Sequence, residues 1–306
     1  MRNAVILVFL VTCAQPAADV RPASTSTTAR LTTTTTLAPT TTTIPPTTTT
    51  LPAKGRLVIH GVGDVNLDSS YIPDLAEQGF AWPWDGLDGL FLEDDLTVIN
   101  LECSPSDLGT PEPKEFTFQC PGGMPEMAAA GVEVTNLGNN HSQDFGKEAM
   151  LDGRRRLLEA GLQPVGAGVD ATEAASFARF EIDGWKLAVL GLGGVRPHDG
   201  WVATDDQPGM ADGDTIETMS KAVLAADEWA DWVIVTIHWG KELDVEPRPE
   251  DIERAWAMID AGADVIFGHH SHRLQPFDMV ADRPVFWGLG NFVWPRLSEA
   301  GAESAV

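Results

Sequence analysis

Residues 265–278 read VIFGHHSHRLQPFD, which places His269, His270 and His272, three of the seven histidines in the chain, within four positions. The run just before them, DVIFG (264–268), is short, apolar and ended by glycine, so it predicts a buried strand with the histidines at its C-terminal tip. Neutral imidazole is the commonest transition-metal ligand, and an H-x-H pair at a strand end puts both rings on one side of the pleat. A histidine-rich polar loop would look the same in isolation, so the rest of the chain decides.

Upstream, residues 249–261 predict a helix opened by Pro249 and stopped by Gly262. Before it, DWVIVTIHWG (231–240) predicts a strand that ends at His238, fed by helical periodicity over residues 215–230. Further strands are expected at 178–182 and 186–192. GVEVTN (131–136) is a strand that runs into LGNNHSQDFG, after which residues 147–160 predict a helix with Gly161 as its stop. LTVIN (96–100) ends in Asn100-Leu101-Glu102, and RLVIHGVGD (56–64) ends at Asp64, ahead of a helix-like stretch over 70–78. GLGNF (288–292) is the last expected strand. Strands alternating with helices predict an α/β fold, either an open sheet or a layered sandwich.

Asp64, Glu102, Asn140 with His141, His238, and the 269–272 cluster each stand just after an apolar strand. In open α/β sheets that edge is where ligands bind. Carboxylates, an amide oxygen and several imidazoles together suit divalent cations: imidazole favours zinc, iron and nickel, and carboxylate also admits manganese and magnesium. Two such ions can clamp a phosphoryl group and activate water, and a neighbouring histidine can protonate a leaving oxygen. His60, inside the first strand, reads as a satisfied core histidine. GLGGVR (191–196) follows a strand, but it lacks the third glycine and the following helix of a dinucleotide loop. Among ten tryptophans, Trp82, Trp84, Trp239, Trp287 and Trp294 lie near motif ends, where they either pack the core or line a groove.

A chain of 306 residues with 43% hydrophobic content holds one large domain or two small ones. Its formal charge of −25 repels nucleic acid and acidic membrane surfaces. The excess carboxylate fits metal ions or a cationic partner, or else a surface adapted to a salty extracellular milieu. Residues 1–18 read as an export signal: MRN, then the apolar AVILVFLV (4–11), which is too short to span a bilayer. Cys13 follows as in a bacterial lipoprotein signal, and plain cleavage near residues 14–18 is the alternative. Residues 19–54 are rich in threonine and proline and poor in large apolar side chains. They predict an unfolded, solvated linker between the envelope and a domain over 55–306. Export implies an oxidising compartment, in which Cys103 and Cys120 could form one disulfide.

The set GDVNLD (63–68), NLE (100–102), LGNNHSQDFG (137–146), IHWGKELDVEPRPE (237–250), AGADVIFGHHSHRLQPFD (261–278) and WGLGNFV (287–293) resembles the bacterial capsule-synthesis family of the CapA, poly-gamma-glutamate type. That family is related to the calcineurin-like metallophosphoesterases, and the resemblance spans about residues 56–294. It implies a calcineurin-like α-β-β-α sandwich holding one or two divalent metal ions, of Mn, Zn, Fe or Mg. On this pattern Asp64, Glu102, Asn140, His238, His270 and His272 are the implied metal ligands and His141 the implied proton donor. Asn66, Asp68, His269 and Glu242 stand as accessory groups, with His269 a neighbour of the ligands rather than one of them.

One position departs from the phosphoesterase pattern, which begins Asp-x-His where this chain has Asp64-Val65-Asn66. Three readings follow: Asn66 or Asp68 substitutes for the imidazole, the site holds a single metal, or it holds none. The resemblance implies an envelope-associated protein that makes, anchors or trims a surface polymer such as poly-gamma-glutamate. It would act on the polymer or its precursor beside membrane capsule-synthesis machinery, touching the membrane only through the N-terminal signal or a lipid anchor. Its alternatives are a non-catalytic polymer-binding or assembly subunit, and a secreted metallophosphoesterase.

Overall fold

A computed structural model of the chain describes residues 55–296; the expected export signal with Cys13 and the Thr/Pro-rich linker lie outside the described residues. The strands are β1 (Ile59–Val65), β2 (Leu96–Leu101), β3 (Val134–Asn136), β4 (Gln163–Val165), β5 (Ala167–Gly168), β6 (Phe177–Ile182), β7 (Trp185–Gly193), β8 (Gly209–Met210), β9 (Trp232–His238), β10 (Val265–His269), β11 (Phe277–Val280), β12 (Arg283–Phe286) and β13 (Asn291–Val293). The helices are α1 (Pro73–Gln78), α2 (Met124–Ala129), α3 (Lys147–Glu159), α4 (Ala171–Ala174), α5 (Ile216–Asp227) and α6 (Pro249–Asp260).

Two sheets carry the fold. The first is parallel, in the order β13-β1-β2-β3-β4, and the second runs β11-β12-β10-β9-β7-β6 with a parallel centre and an antiparallel strand at each end. Strand periodicity explains their stacking. In β2, β9 and β10 the residues Leu96, Val98, Ile234, Val265 and Phe267 share one core with Leu187 and Val189 of β7, and this core lies between the sheets. The alternate residues, such as Ile99 and Leu101, face a second core with Met124, Met127, Met150 and Leu157 of α2 and α3. On the far side Val233, Val235 and Ile237 face Met219 and Val223 of α5 and Ala255 and Met258 of α6. The layers are therefore helix, sheet, sheet, helix, the α-β-β-α sandwich that the resemblance implied.

Most expected elements are found within two or three residues of their sequence bounds. GLGNF differs: only Asn291–Val293 pair as β13, because residues 288–290 form the close approach that brings β13 beside β1. Asp64 N–H donates to the Gly290 carbonyl at 2.9 Å, and a Cβ on Gly63 would lie 2.4 Å from that oxygen. The β11–β12 hairpin had no clear sequence signal. Its two-residue turn uses Ala281 and Asp282, both at positive φ, instead of the usual Asn-Gly or Asp-Gly.

His60 is buried as expected, with Nδ1 2.5 Å from Asp94 Oδ2. Next to this pair Glu133 accepts from the Thr97 N–H at 2.7 Å, and burial, reinforced by Asp94, pushes its carboxyl up to about 7. A raised carboxyl pKa means that the folded state holds a proton the unfolded chain releases. The resulting stability is full below the unfolded value near 4.5 and is lost as pH rises through about 7. Glu133→Gln, whose amide oxygen can still accept from Thr97, should therefore gain on the wild type in melting temperature between pH 5 and pH 8. Thermal unfolding at the two pH values checks this, and a difference that does not grow with pH counts against it.

Candidate metal centre

The same strand periodicity that builds the inter-sheet core carries polar groups into it at the C-terminal strand ends. Leu96, Val98 and Asn100 share a face of β2, as do Ile234, Thr236 and His238 on β9 and Val265, Phe267 and His269 on β10. Each apolar row thus ends in an amide or imidazole pointing between the sheets. Asp64 is the penultimate residue of β1, Glu102 follows β2, and Asn140 with His141 lies in the loop after β3. His270 and His272 follow β10 with φ of 85° and 52°, left-handed values that non-glycine residues rarely adopt. Such strain persists only where surrounding contacts impose it, and it concentrates at functional sites.

Two groupings share Glu102: Asp64, Glu102 and His238, and Glu102, His270 and His272, in each of which one ligand atom per residue lies within 4.8 Å of the others. All five residues are buried. His238 Nε2 stands 2.6 Å from Asn140 Oδ1 and 3.4 Å from Glu102 Oε1. His272 Nδ1 is 3.0 Å from Asp64 Oδ2 and 2.8 Å from Asn291 Oδ1, and its ring packs 4.2 Å from that of Trp294. Glu102 Oε1 and His270 Nδ1 are buried with no hydrogen-bond partner. Buried polar atoms are normally satisfied, so an unpaired carboxylate oxygen and an unpaired imidazole nitrogen on two residues of one ligand grouping fit a cation.

The electrostatics agree with that donor set. Burial pushes the Glu102 carboxyl well above its usual range, and the negative charges of Asp64 and Glu242 add to the rise. Burial would raise Asp64 too, but hydrogen bonds with His269 and His272 outweigh it and hold this carboxyl well below the usual value. Burial drives His238 well down and His270 to about 3, each assisted by a neighbouring imidazole. Both are therefore neutral, the form that ligates metal. For His272 burial is outweighed by Asp64, so its pKa rises.

The accessory groups fall into different places. His269 is buried, with Nε2 2.9 Å from Thr236 Oγ1 and Nδ1 3.5 Å from Asp64 Oδ1, where it orients that carboxylate. Asn66 Oδ1 accepts from the Asp68 N–H at 2.8 Å, and its NH2 is buried without a hydrogen-bond partner. Asp68 accepts from the Ser70 N–H and hydroxyl through Oδ1 and from the Gln119 N–H through Oδ2. Glu242 sits exposed in the loop after β9, close enough for its charge to act on both Glu102 and His272.

His141 is buried in the loop after β3, its ring 4.4 Å from that of Phe118. Its Nδ1 lies 2.7 Å from Asp144 Oδ2, which leaves Nε2 free for proton exchange. Burial lowers its pKa, and Asp144 opposes the fall.

Several structural partners went unread in the sequence. Asn100 Nδ2 donates to Asp64 Oδ1 at 2.8 Å and lies 3.1 Å from His238 Nδ1, tying the two sheets together at the centre. Asn139 Nδ2 donates to the Leu101 carbonyl and Asn100 Oδ1, which fixes the loop that carries Asn140. The alternation Leu96, Val98, Asn100 was the available signal, because it continues an apolar row into a polar side chain. Asp144 stands three residues after His141, but no local pattern sets it apart from a surface loop acid. Of the tryptophans near motif ends, Trp84, Trp239 and Trp287 are buried, whereas Trp82 is exposed and Trp294 lies beside His272.

The expected Cys103–Cys120 disulfide is formed, with Cα atoms 6.0 Å apart. It closes the loop whose Phe118 N–H donates to Asp144 Oδ2 at 2.7 Å.

The capsule biosynthesis protein CapA of Bacillus anthracis is 38% identical over 178 residues, covering 56% of this chain and 43% of that protein. A probable polyglutamine synthesis accessory protein of Mycobacterium tuberculosis H37Rv is 31% identical over 237 residues, 73% of this chain and 62% of its own. The chain thus spans 43% and 62% of the lengths of these two relatives. Among solved structures, the Thermus thermophilus sulfate thiohydrolase SoxB aligns at a TM-score of 0.43 and 16% identity, over 70% of this chain and 37% of that one. The pattern of the family described as bacterial capsule synthesis protein PGA_cap matches residues 58–296, and with that extent the chain belongs to this family.

Proposed function

We propose that this chain is exported, stays associated with the cell envelope, and acts in the synthesis, anchoring or trimming of a surface polymer such as poly-gamma-glutamate by metal-dependent hydrolysis or transfer. The polymer follows the names of the relatives, one a capsule biosynthesis protein and the other a probable polyglutamine synthesis accessory protein. The chemistry is carried by one observation: Glu102 is buried, unpaired through Oε1, and shared by two groupings of potential ligands. Asp64, Glu102, Asn140, His238, His270 and His272 would hold the metal. A divalent cation there would neutralise the buried carboxylates, polarise the bond to be cleaved and activate water at neutral pH.

The chain's own residues supply the rest. Asn100 and His269 orient Asp64, Asn139 holds the loop of Asn140, and His141 exchanges the leaving group's proton through Nε2 while Asp144 anchors Nδ1. The aromatic surface of Phe118 and Trp294 beside His141 and His272 keeps bulk water from that edge.

Asn66 favours a second reading, a non-catalytic polymer-binding or assembly subunit. Where the phosphoesterase pattern has an imidazole, this chain has an amide whose oxygen accepts from the Asp68 N–H. The test measures bound metal in the full-length chain by elemental analysis, along with release of product from gamma-glutamyl polymer and from phosphoesters, for wild type and His270→Ala. Under the enzymatic reading metal is present and His270→Ala loses both metal and turnover, by 100-fold or more on the scale of about 10–100-fold for outer-shell partners. A wild-type chain that holds no metal, cleaves neither substrate and still binds the polymer establishes the assembly role instead.

A further inference from the structure

Lys114 has no role in the reading above, yet it reaches the heart of the His141 loop. It lies in the segment between β2 and α2 that the Cys103–Cys120 disulfide closes, and its side chain is only 20% exposed. Nζ is 2.5 Å from Asp144 Oδ1 and donates to the Asn140 carbonyl at 2.6 Å, with the Trp201 ring 5.3 Å away. The segment docks on Asp144 by backbone as well: Glu112 N–H donates to the Asp144 carbonyl and Phe118 N–H to Oδ2.

These contacts place one ammonium between two groups that the proposed chemistry needs in register. Asn140 offers its side-chain oxygen to the centre beside His238, and Lys114 holds the carbonyl of that same residue. Asp144 is fully buried, and a carboxylate held away from water needs a positive partner close by, which Lys114 supplies while the other oxygen fixes His141. Nζ is also 3.2 Å from His141 Nδ1, but that nitrogen cannot accept from Lys114 while it donates to Asp144. The shorter contact, 2.7 Å to the Asp144 carboxylate, prevails, so Nδ1 carries the proton and Nε2 is the free nitrogen.

We propose that Lys114 is a positioning residue that locks Asn140 and the His141–Asp144 pair into one unit, presenting the Asn140 amide oxygen to the metal centre and fixing His141 with Nε2 free. The assignment of His141 as proton donor rests on the proposed function, whereas the lock itself does not. Lysine suits the task because three donors on one atom reach a carboxylate and a carbonyl that lie in different directions.

The test uses the full chain labelled with 15N-histidine, with the His141 resonances assigned through His141→Gln. Wild-type His141 should show the Nδ1-protonated tautomer alone. In Lys114→Met the signal should change to a mixture of tautomers, and Mn2+ affinity measured by calorimetry should fall by about 10-fold or more, as for outer-shell partners of metal ligands. Lys114→Arg, which keeps the charge, should retain the tautomer and lose less affinity. A Lys114→Met chain with the wild-type His141 signal and wild-type Mn2+ affinity overturns the proposal. If Lys114→Met does not fold by circular dichroism, Lys114→Gln is read in the same way, with a mixed tautomer supporting the lock and an unchanged one sinking it. Absence of Mn2+ binding even in the wild type would remove the metal reading, and the His141 signal would still decide the role of Lys114.

Discussion

Glu102→Gln is expected to abolish metal-dependent stabilisation while making the metal-free chain more stable. Glu102 is the residue common to both ligand groupings, so its loss breaks both. A ligand that binds only the folded state stabilises it by an amount set by its concentration over its dissociation constant, about 2.7 kcal/mol at a hundredfold excess. In a domain of this size that corresponds to a rise of roughly 5–10 °C in melting temperature. The wild type should show this rise with Mn2+ or Zn2+, and Glu102→Gln should show none.

Without metal the sign reverses. The carboxyl of Glu102 is raised by burial and by Asp64 and Glu242, so the stability it gives is full at pH below the unfolded value and lost as pH climbs through the raised one. A neutral isostere avoids that loss, and the variant should melt above the metal-free wild type at pH 8. Thermal unfolding with chelator and with added metal measures both arms. A variant that is still stabilised by metal would remove Glu102 from the ligand set.

The Cys103→Ser/Cys120→Ser chain should be destabilised by about 3 kcal/mol, the loop-closure value for a crosslink between residues of this separation. Denaturant unfolding of the double variant against the oxidised wild type reads this directly. The effect should extend beyond global stability. The crosslinked segment carries Lys114, the Phe118 N–H that holds Asp144, and the Gln119 N–H that holds Asp68, and Cys103 adjoins Glu102. Hydrogen exchange of the Phe118 and Gln119 amides should therefore accelerate more than that of the β7 and β9 core amides. Equal acceleration throughout would mean that the disulfide stabilises the fold without organising the site.

Much of this architecture can be read along the chain, for a physical reason. The strands that bring Asp64, Glu102, His238 and His269 to the site are short, buried and mainly apolar, as strands between a sheet and a helix layer must be, and each meets a polar residue at or next to its C-terminal end. The helix bounds at α3 and α6 follow from Gly161 and Gly262 at their ends and from Pro249 at the start of α6. Local chemistry is enough for all of these. The resemblance to the phosphoesterase pattern, rather than local chemistry, marks Asp64-Val65-Asn66 as the position where an expected imidazole is missing.

The remainder depends on groups far apart in sequence. Asn100 is an ordinary strand-end amide until β9 brings His238 to within 3.1 Å of it across 138 positions. Lys114 and Asp144 lie 30 residues apart, and only the folding back of the disulfide-closed loop makes them a buried ion pair. Asn66 and Asp68 offered oxygens that could serve as ligands, and the fold gives those oxygens turn bonds from Asp68 and Ser70 and a bond from Gln119, 51 positions on. By itself the sequence determined the alternation of strands and helices, the strand ends at which polar groups gather, and the residue types assembled there, because periodicity and strand-end placement are local properties of the chain. The tertiary structure alone decided which of those groups face one another, which atoms remain unpaired, and which cation anchors the His141 loop, because distance and desolvation arise only when the two sheets pack.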